Sequence, residues 1–212
     1  MTMGRLITLE GGEGAGKSSA VELVCNWLRT QGRTVVATRE PGGTAVAERV
    51  RAILLDPETG DLAPMSELLL MFAARSENLA KVIRPALEAG HDVVCDRFTD
   101  ASLAYQGGGR ELGAAPIRAL ANIVHPDLTP SLTLLLDVPV NIGMQRVALR
   151  GEASNRFEQT RQDFLERVRM AYLEEARSNP GRFTIIDATA PMEAVHQAIQ
   201  QALAERLNAA LD

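Results

Sequence analysis

Gly11-Gly12-Glu13-Gly14-Ala15-Gly16-Lys17-Ser18 fits the pattern G-x-x-x-x-G-K-[ST] without a mismatch. Glycines let successive backbone N–H groups turn inward around a phosphate chain, and the N-terminus of a following helix adds partial positive charge. A lysine in the seventh place reaches the terminal phosphates, and the hydroxyl after it can hold Mg²⁺. The flanks have the order such a loop needs. Arg5–Glu10 reads as a strand before it, and a helical pattern runs on from about Lys17 to Gln31. A plain tight turn would need neither. Only two of the 22 basic residues are lysines, Lys17 and Lys81, so a lysine retained here does something that arginine does not. The stretch is a nucleoside-triphosphate site, with Gly11, Gly12, Glu13, Gly14, Ala15, Gly16, Lys17, Ser18 and the adjoining Ser19 around the phosphates.

Outward from that loop the chain alternates short apolar runs with longer helical patterns. Further strands are expected at Thr34–Thr38, His91–Asp96, Leu132–Asp137 and Arg182–Asp187. Helical periodicity covers Val46, Val50, Ile53 and Leu54, then Ser66–Arg75, Leu79–Ala89 and, last, Met192–Leu207. Strands that read as continuous apolar runs are buried on both faces. Alternation of strand and helix then gives an α/β fold, a parallel sheet wrapped by helices. No repeat, linker or low-complexity stretch interrupts it, so residues 1–212 are expected to form one domain. Its least ordered-looking part is the polar break at Gly151–Asn155.

Composition narrows the function classes. The chain has 212 residues, is 46% hydrophobic and carries a net charge of −5, from 22 basic and 27 acidic side chains. No basic excess points to a nucleic-acid partner. The longest apolar run, Leu68–Ala74, is far short of the roughly 20 residues a membrane helix needs. The N-terminus reaches Glu10 before any signal-peptide core develops, and Cys25 and Cys95 read as reduced, buried thiols. A cytoplasmic protein with neither a nucleic-acid nor a membrane partner is expected.

A GTP-dependent switch would need N-K-x-D and D-x-x-G elements, and neither occurs. A small kinase acting on another small molecule fits the size. Its acceptor, if phosphorylated, needs arginines near the carboxyl ends of the strands, where open α/β sheets bind ligands. Asp96-Arg97 ends the third predicted strand. Asp96 there can organise Mg²⁺ together with Ser18. Arg39, after the second strand, and Arg51, on the following helix, are further anion-binding candidates.

Thr38-Arg39-Glu40-Pro41-Gly42-Gly43-Thr44, Phe72-Ala73-Ala74-Arg75, Asp96-Arg97-Phe98 and Ala104-Tyr105-Gln106-Gly107-Gly108-Gly109-Arg110 follow the phosphate loop in that order. In this combination the chain resembles bacterial thymidylate kinases over essentially its whole length. The resemblance implies the P-loop nucleoside-monophosphate-kinase fold, with a five-stranded parallel sheet of order 2-3-1-4-5 and helices on both faces. It implies transfer of the ATP γ-phosphate to dTMP, with Mg²⁺, in dTTP biosynthesis. By similarity Glu13 faces the sugar hydroxyl of dTMP, Arg51 and Arg97 hold its phosphate, and Arg75 hydrogen-bonds thymine. Ser102 and Gln106 touch the base, Tyr105 lies against the sugar, and Phe72, three residues before Arg75, is the stacking candidate, with Met71 at the family's usual spacing of four.

The loop carries Gly14-Ala15 and no arginine, so the chain looks like the type whose catalytic arginine comes from a lid, here about residues 146–158. Arg150, directly before Gly151, fits best, with Arg146 and Arg156 as alternatives. Lys17, Arg97, Arg150 and Glu13 make up the expected catalytic set. The loop Asp187-Ala188-Thr189 is expected beside adenine, and a homodimer is implied. Two other readings remain at this level: a related P-loop kinase of a different nucleotide or nucleoside, and a nucleotide-binding module without turnover.

Overall fold

The computed structural model describes residues 3–149, 156–157 and 162–208. In chain order the elements are β1 (Leu6–Glu10), α1 (Lys17–Thr30), β2 (Val35–Arg39), α2 (Ala45–Leu55), α3 (Pro64–Asn78), α4 (Arg84–Glu88), β3 (Asp92–Asp96), α5 (Thr99–Ser102), α6 (Ala114–Val124), β4 (Leu132–Asp137), α7 (Val140–Leu149), α8 (Gln162–Ser178), β5 (Phe183–Asp187) and α9 (Met192–Asn208). All strand pairs are parallel, in the order β2-β3-β1-β4-β5, as the resemblance implies.

Period-two alternation sorts the strand side chains between two apolar layers. Ile7, Leu9, Val94, Leu134 and Leu136 pack with Val24 and Leu28 of α1 and Ile199 and Leu203 of α9. Leu135 turns to the other face, against Phe164, Val168 and Tyr172 of α8. Leu6, Val93 and Cys95 share that face with Leu79, Ile83 and Phe98. The three inner strands are therefore buried on both sides, while β2 and β5, at the sheet edges, are partly exposed.

Strand order also locates the site. From β1 the chain turns by way of β2 and β3 to one side and β4 and β5 to the other, so the crevice at the carboxyl end of β1 lies where the order reverses. The phosphate loop occupies that crevice. Gly14 has φ of 71° there, and a Cβ on it would fall 2.1 Å from the Gly143 carbonyl oxygen of α7. Only glycine meets both demands.

Among the described residues, a short 3-10 turn at Pro57–Thr59 and two π segments depart from plain α geometry. The predicted helices Ser66–Arg75 and Leu79–Ala89 are nearly continuous, joined by a π turn at Leu79–Ile83 in which the Arg84 N–H donates to the Leu79 carbonyl. Pro85, without an N–H, follows at once. The second π segment, Leu103–Gly109, continues α5 and holds Tyr105 and Gln106. Its glycines permit contact with α8, because a Cβ on Gly109 would lie 2.6 Å from the Phe164 ring and 2.8 Å from Val168. Gly109→Ala is accordingly expected to overpack this interface at a cost of about 1–3 kcal/mol. In a chain of this size that lowers the melting temperature by roughly 2–4 °C per kcal/mol. An unchanged melting curve would show that α8 can yield there without cost.

Candidate active site

Lys17, the first residue of α1, folds its ammonium back onto the loop, donating to the carbonyls of Gly11 (3.1 Å) and Gly12 (2.9 Å). Burial, and after it the Arg97 charge, lowers its pKa, while Asp96, Glu13 and Glu10 act the other way. The loop lines a cleft of about 400 Å³ together with Arg51, Asp96, Arg97 and Arg146. On one side that cleft continues into an apolar pocket of about 300 Å³ formed by Ala20, Leu136, Ala188, Met192, Val195 and His196. Arg146 stands between the two and donates to the Ala188 carbonyl at 2.8 Å. On the other side Glu13, Arg51 and Arg97 also line a second cleft, walled by Pro41, Leu55, Met71, Tyr105 and Phe157.

Arg97 is where these parts meet. It follows β3 with φ of 68°, a left-handed conformation that is unusual for a residue with a side chain and that concentrates at functional sites. Its N–H extends the sheet to the Leu9 carbonyl. Its guanidinium donates to the Gly11 carbonyl (3.1 Å), the Tyr172 hydroxyl (3.1 Å), Glu13 Oε1 (2.9 Å) and the Tyr105 hydroxyl (3.0 Å). Tyr105 in turn donates to Glu13 Oε1 at 2.8 Å, and Tyr172 to Glu10 Oε2 at 2.8 Å. Burial pushes both phenols far above their ordinary pKa, so both stay protonated donors.

The other expected site residues divide into two groups. Arg51 donates to the Pro41 carbonyl at 2.8 Å, and burial, then the charge of Arg39, lowers its pKa. Asp96 sits in the phosphate cleft near Ser18, and its Oδ1 is buried without a hydrogen-bond partner. Arg75, Ser102, Gln106 and Phe72 are buried and do not line the second cleft. Arg75 donates to Glu40 (2.6 Å), the Phe98 carbonyl (2.9 Å) and Ser102 Oγ (3.1 Å), leaving Nη1 buried and unpartnered. Gln106 donates to Glu67 and leaves its Oε1 unpartnered. Phe72 packs with Leu68 and Ile117 and carries the Arg75 guanidinium 4.5 Å over its ring, while Met71 faces the cleft. Arg39 pairs with Glu48 on an exposed edge. Arg150 and the break at 151–155 lie outside the described residues.

Sequence reasoning passed over four buried partners: Glu10, Glu40, Glu67 and Tyr172. Glu40 stood inside a quoted motif, and an acid closing the apolar β1 strand was a signal for Glu10. Nothing local marked Glu67 or Tyr172. Among the described residues no group of three or more His, Cys, Asp or Glu could hold a metal ion. A cation here would rest instead on Ser18, Asp96, phosphate oxygens and water, which is the pattern Mg²⁺ favours.

Glu10 is fully buried, and its Oε1 accepts the Phe98 N–H at 2.7 Å. Burial, with Asp100 nearby, raises its pKa from an ordinary 4.5 to about 8. The folded state then holds this proton more tightly than the unfolded state, so its stabilising effect is complete below about 4.5 and is lost as pH rises to about 8. Glu10→Gln is expected to reduce the fall in stability across that window by up to about 1.4 kcal/mol per pH unit. Melting curves at a series of pH values check this, and equal slopes in both proteins would place the linkage elsewhere.

Comparison with known proteins accords with this arrangement. The sequence profile of the thymidylate kinase family matches residues 9–199. The thymidylate kinase of Alkalilimnicola ehrlichii is 57% identical over 204 residues, covering 96% of this chain and 94% of that protein. That of Chromohalobacter salexigens is 54% identical over 208 residues and 98% of each chain. The crystal structure of thymidylate kinase from Ehrlichia chaffeensis superposes with a TM-score of 0.76 at 32% identity, covering 95% of this chain and 98% of that one. Phosphate loop, sheet order and these full-length matches agree: the chain belongs to the thymidylate kinase family.

Proposed function

We infer that the protein carries out its family's reaction, phosphorylation of dTMP to dTDP with the γ-phosphate of ATP, as one domain over residues 1–212. The observation that carries this reading is the sharing of Glu13, Arg51 and Arg97 between the phosphate-loop cleft and the second cleft. A donor phosphate held by the loop and an acceptor phosphate held by those arginines would meet there, as in-line transfer requires.

In this reading the loop N–H groups and Lys17 hold the β- and γ-phosphates, and the apolar pocket beside Ala188 takes the adenine. Arg51 and Arg97 clamp the acceptor phosphate through planar, bidentate contacts. Glu13 faces the sugar hydroxyl, and Tyr105 crowds the position of a 2′-hydroxyl. Arg75 Nη1 and Gln106 Oε1, buried, unpartnered and outside the lining of the second cleft, are one donor and one acceptor, the set that the O4 and N3–H edge of thymine would need on reaching them. Mg²⁺ held near Ser18 and Asp96 would neutralise phosphate charge. No covalent enzyme intermediate is needed. Residues about 146–158 form the lid, whose catalytic arginine is Arg150, with Arg146 and Arg156 the alternatives.

Exposed Ile53 on α2, Met65 and Leu69 on α3 and Ile123 on α6 support a homodimer, which a light-scattering mass of one chain would overturn. No helix among the described residues is long and apolar enough to cross a membrane. A nucleotide biosynthetic role places the enzyme in the cytoplasm.

A coupled ADP-release assay with ATP and Mg²⁺ compares dTMP with dUMP, dCMP, dAMP, UMP and thymidine, and turnover is expected to favour dTMP strongly. Lys17→Ala should lower kcat roughly 10²–10³-fold, the usual loss of one donor to transition-state charge. Near-full turnover by that variant would overturn the site. Binding of ATP without turnover of any acceptor would favour a nucleotide-binding module.

A further inference from the structure

One heavily bonded carboxylate of the interior has no part in the reading above. Glu67, in the first turn of α3, has no solvent exposure. Its Oε1 accepts from Gln106 Nε2 at 2.8 Å and Arg110 Nε at 3.3 Å. Its Oε2 accepts from Arg110 Nη2 at 3.0 Å and Arg156 Nη2 at 2.5 Å. Arg156 is itself buried. Its Nε donates to the Leu54 carbonyl at 2.8 Å, and its backbone N–H to the Leu55 carbonyl at 3.0 Å. The two charges thus sit at the helix ends that favour them, the acid at the start of α3 and the guanidinium at the last carbonyls of α2.

The attachment has a consequence for the acceptor cleft. Phe157, next in the chain, forms one wall, together with Leu55 from the capped end of α2 and Met71 one helical layer beyond Glu67. Its ring meets the Tyr105 ring edge-on at 5.5 Å and 86°. Tyr105 is the residue that bonds Glu13 and Arg97. From Glu67, one oxygen leads through Arg156 to this wall, and the other leads to the Gln106 amide. A carboxylate with no route to solvent and two guanidiniums on it is costly to assemble merely as packing, because apolar residues would fill the space at less desolvation cost.

We propose that Glu67 is a positioning residue for the acceptor site: it fixes Arg156 on the end of α2, so that Phe157 walls the cleft, and orients the Gln106 amide. The proposal rests on the dTMP kinase reading and assigns Arg156 to the acceptor side. It differs from the alternative in which Arg156 serves the phosphates during transfer.

The test begins with wild-type turnover of dTMP, which checks the functional reading by itself. Glu67→Gln is then expected to raise KM for dTMP at least tenfold and leave KM for ATP within about twofold, a split that general loosening of the fold does not produce. Independently of activity, hydrogen exchange at the Arg156 amide should rise at least tenfold, since its bond to Leu55 depends on the side chain being held. Should Glu67→Gln fail to fold, Arg156→Met leaves Glu67 paired with Arg110 and Gln106, and the same KM split is expected of it. The proposal is overturned if exchange at Arg156 is unchanged in Glu67→Gln. It is also overturned if Arg156→Met lowers kcat with KM for dTMP intact, which would assign Arg156 to transfer. Absence of wild-type turnover with dTMP would overturn the functional reading, and the exchange experiment would still decide whether Glu67 holds Arg156.

Discussion

One guanidinium organises the centre of this molecule. Arg97 reaches the loop backbone at Gly11, the Glu13 carboxylate and the hydroxyls of Tyr105 and Tyr172, so the phosphate loop, the π segment and α8 converge on it. Its left-handed backbone costs of order 1–3 kcal/mol. That geometry persists because neighbours on both sides fix it: its own N–H bonds Leu9, and the next N–H bonds Glu10. Planar, always charged and rich in donors, arginine is the side chain that can hold four partners at once.

The same centre explains why an acidic chain can serve anionic substrates. Net charge is −5, yet Lys17, Arg51, Arg97 and Arg146 all line one cleft. Burial lowers the pKa of Arg51, and the charges of Arg39 and, less, Arg97 push the same way. A polyanion entering the cleft would offset those charges. Local field, and not overall charge, governs binding at such a distance.

Around this centre the acids have distinct duties. Glu13 faces the cleft and takes Arg97 and Tyr105. Glu40 aligns Arg75, and Glu10 supports Tyr172 and Phe98 from below. Glu67 ties the end of α2 to the start of α3 by way of Arg156. Each joins residues remote in sequence, and each is buried or nearly so, where a hydrogen bond to a charged group is little screened.

Much of the fold was legible without coordinates, because the features concerned are local. A phosphate loop needs glycines and a lysine at fixed spacing, a buried parallel strand needs a short apolar run, and both are written within eight residues. The strand end at Asp96-Arg97 was legible for the same reason. Sheet order was not carried by periodicity and came only with the family resemblance. The interior contacts were beyond any local pattern. Glu10 meets Tyr172 across 162 residues, and Glu67 meets Arg156 across 89. Whether Met71 or Phe72 faces the cleft turns on about 100° of rotation about α3, which sequence spacing leaves open and packing against Ile117 decides. The sequence by itself determined the phosphate loop and the strands that carry it, since backbone chemistry sets those within a few residues. Only the tertiary structure decided which charges share a buried partner, because desolvation couples side chains by their distance in space and not along the chain.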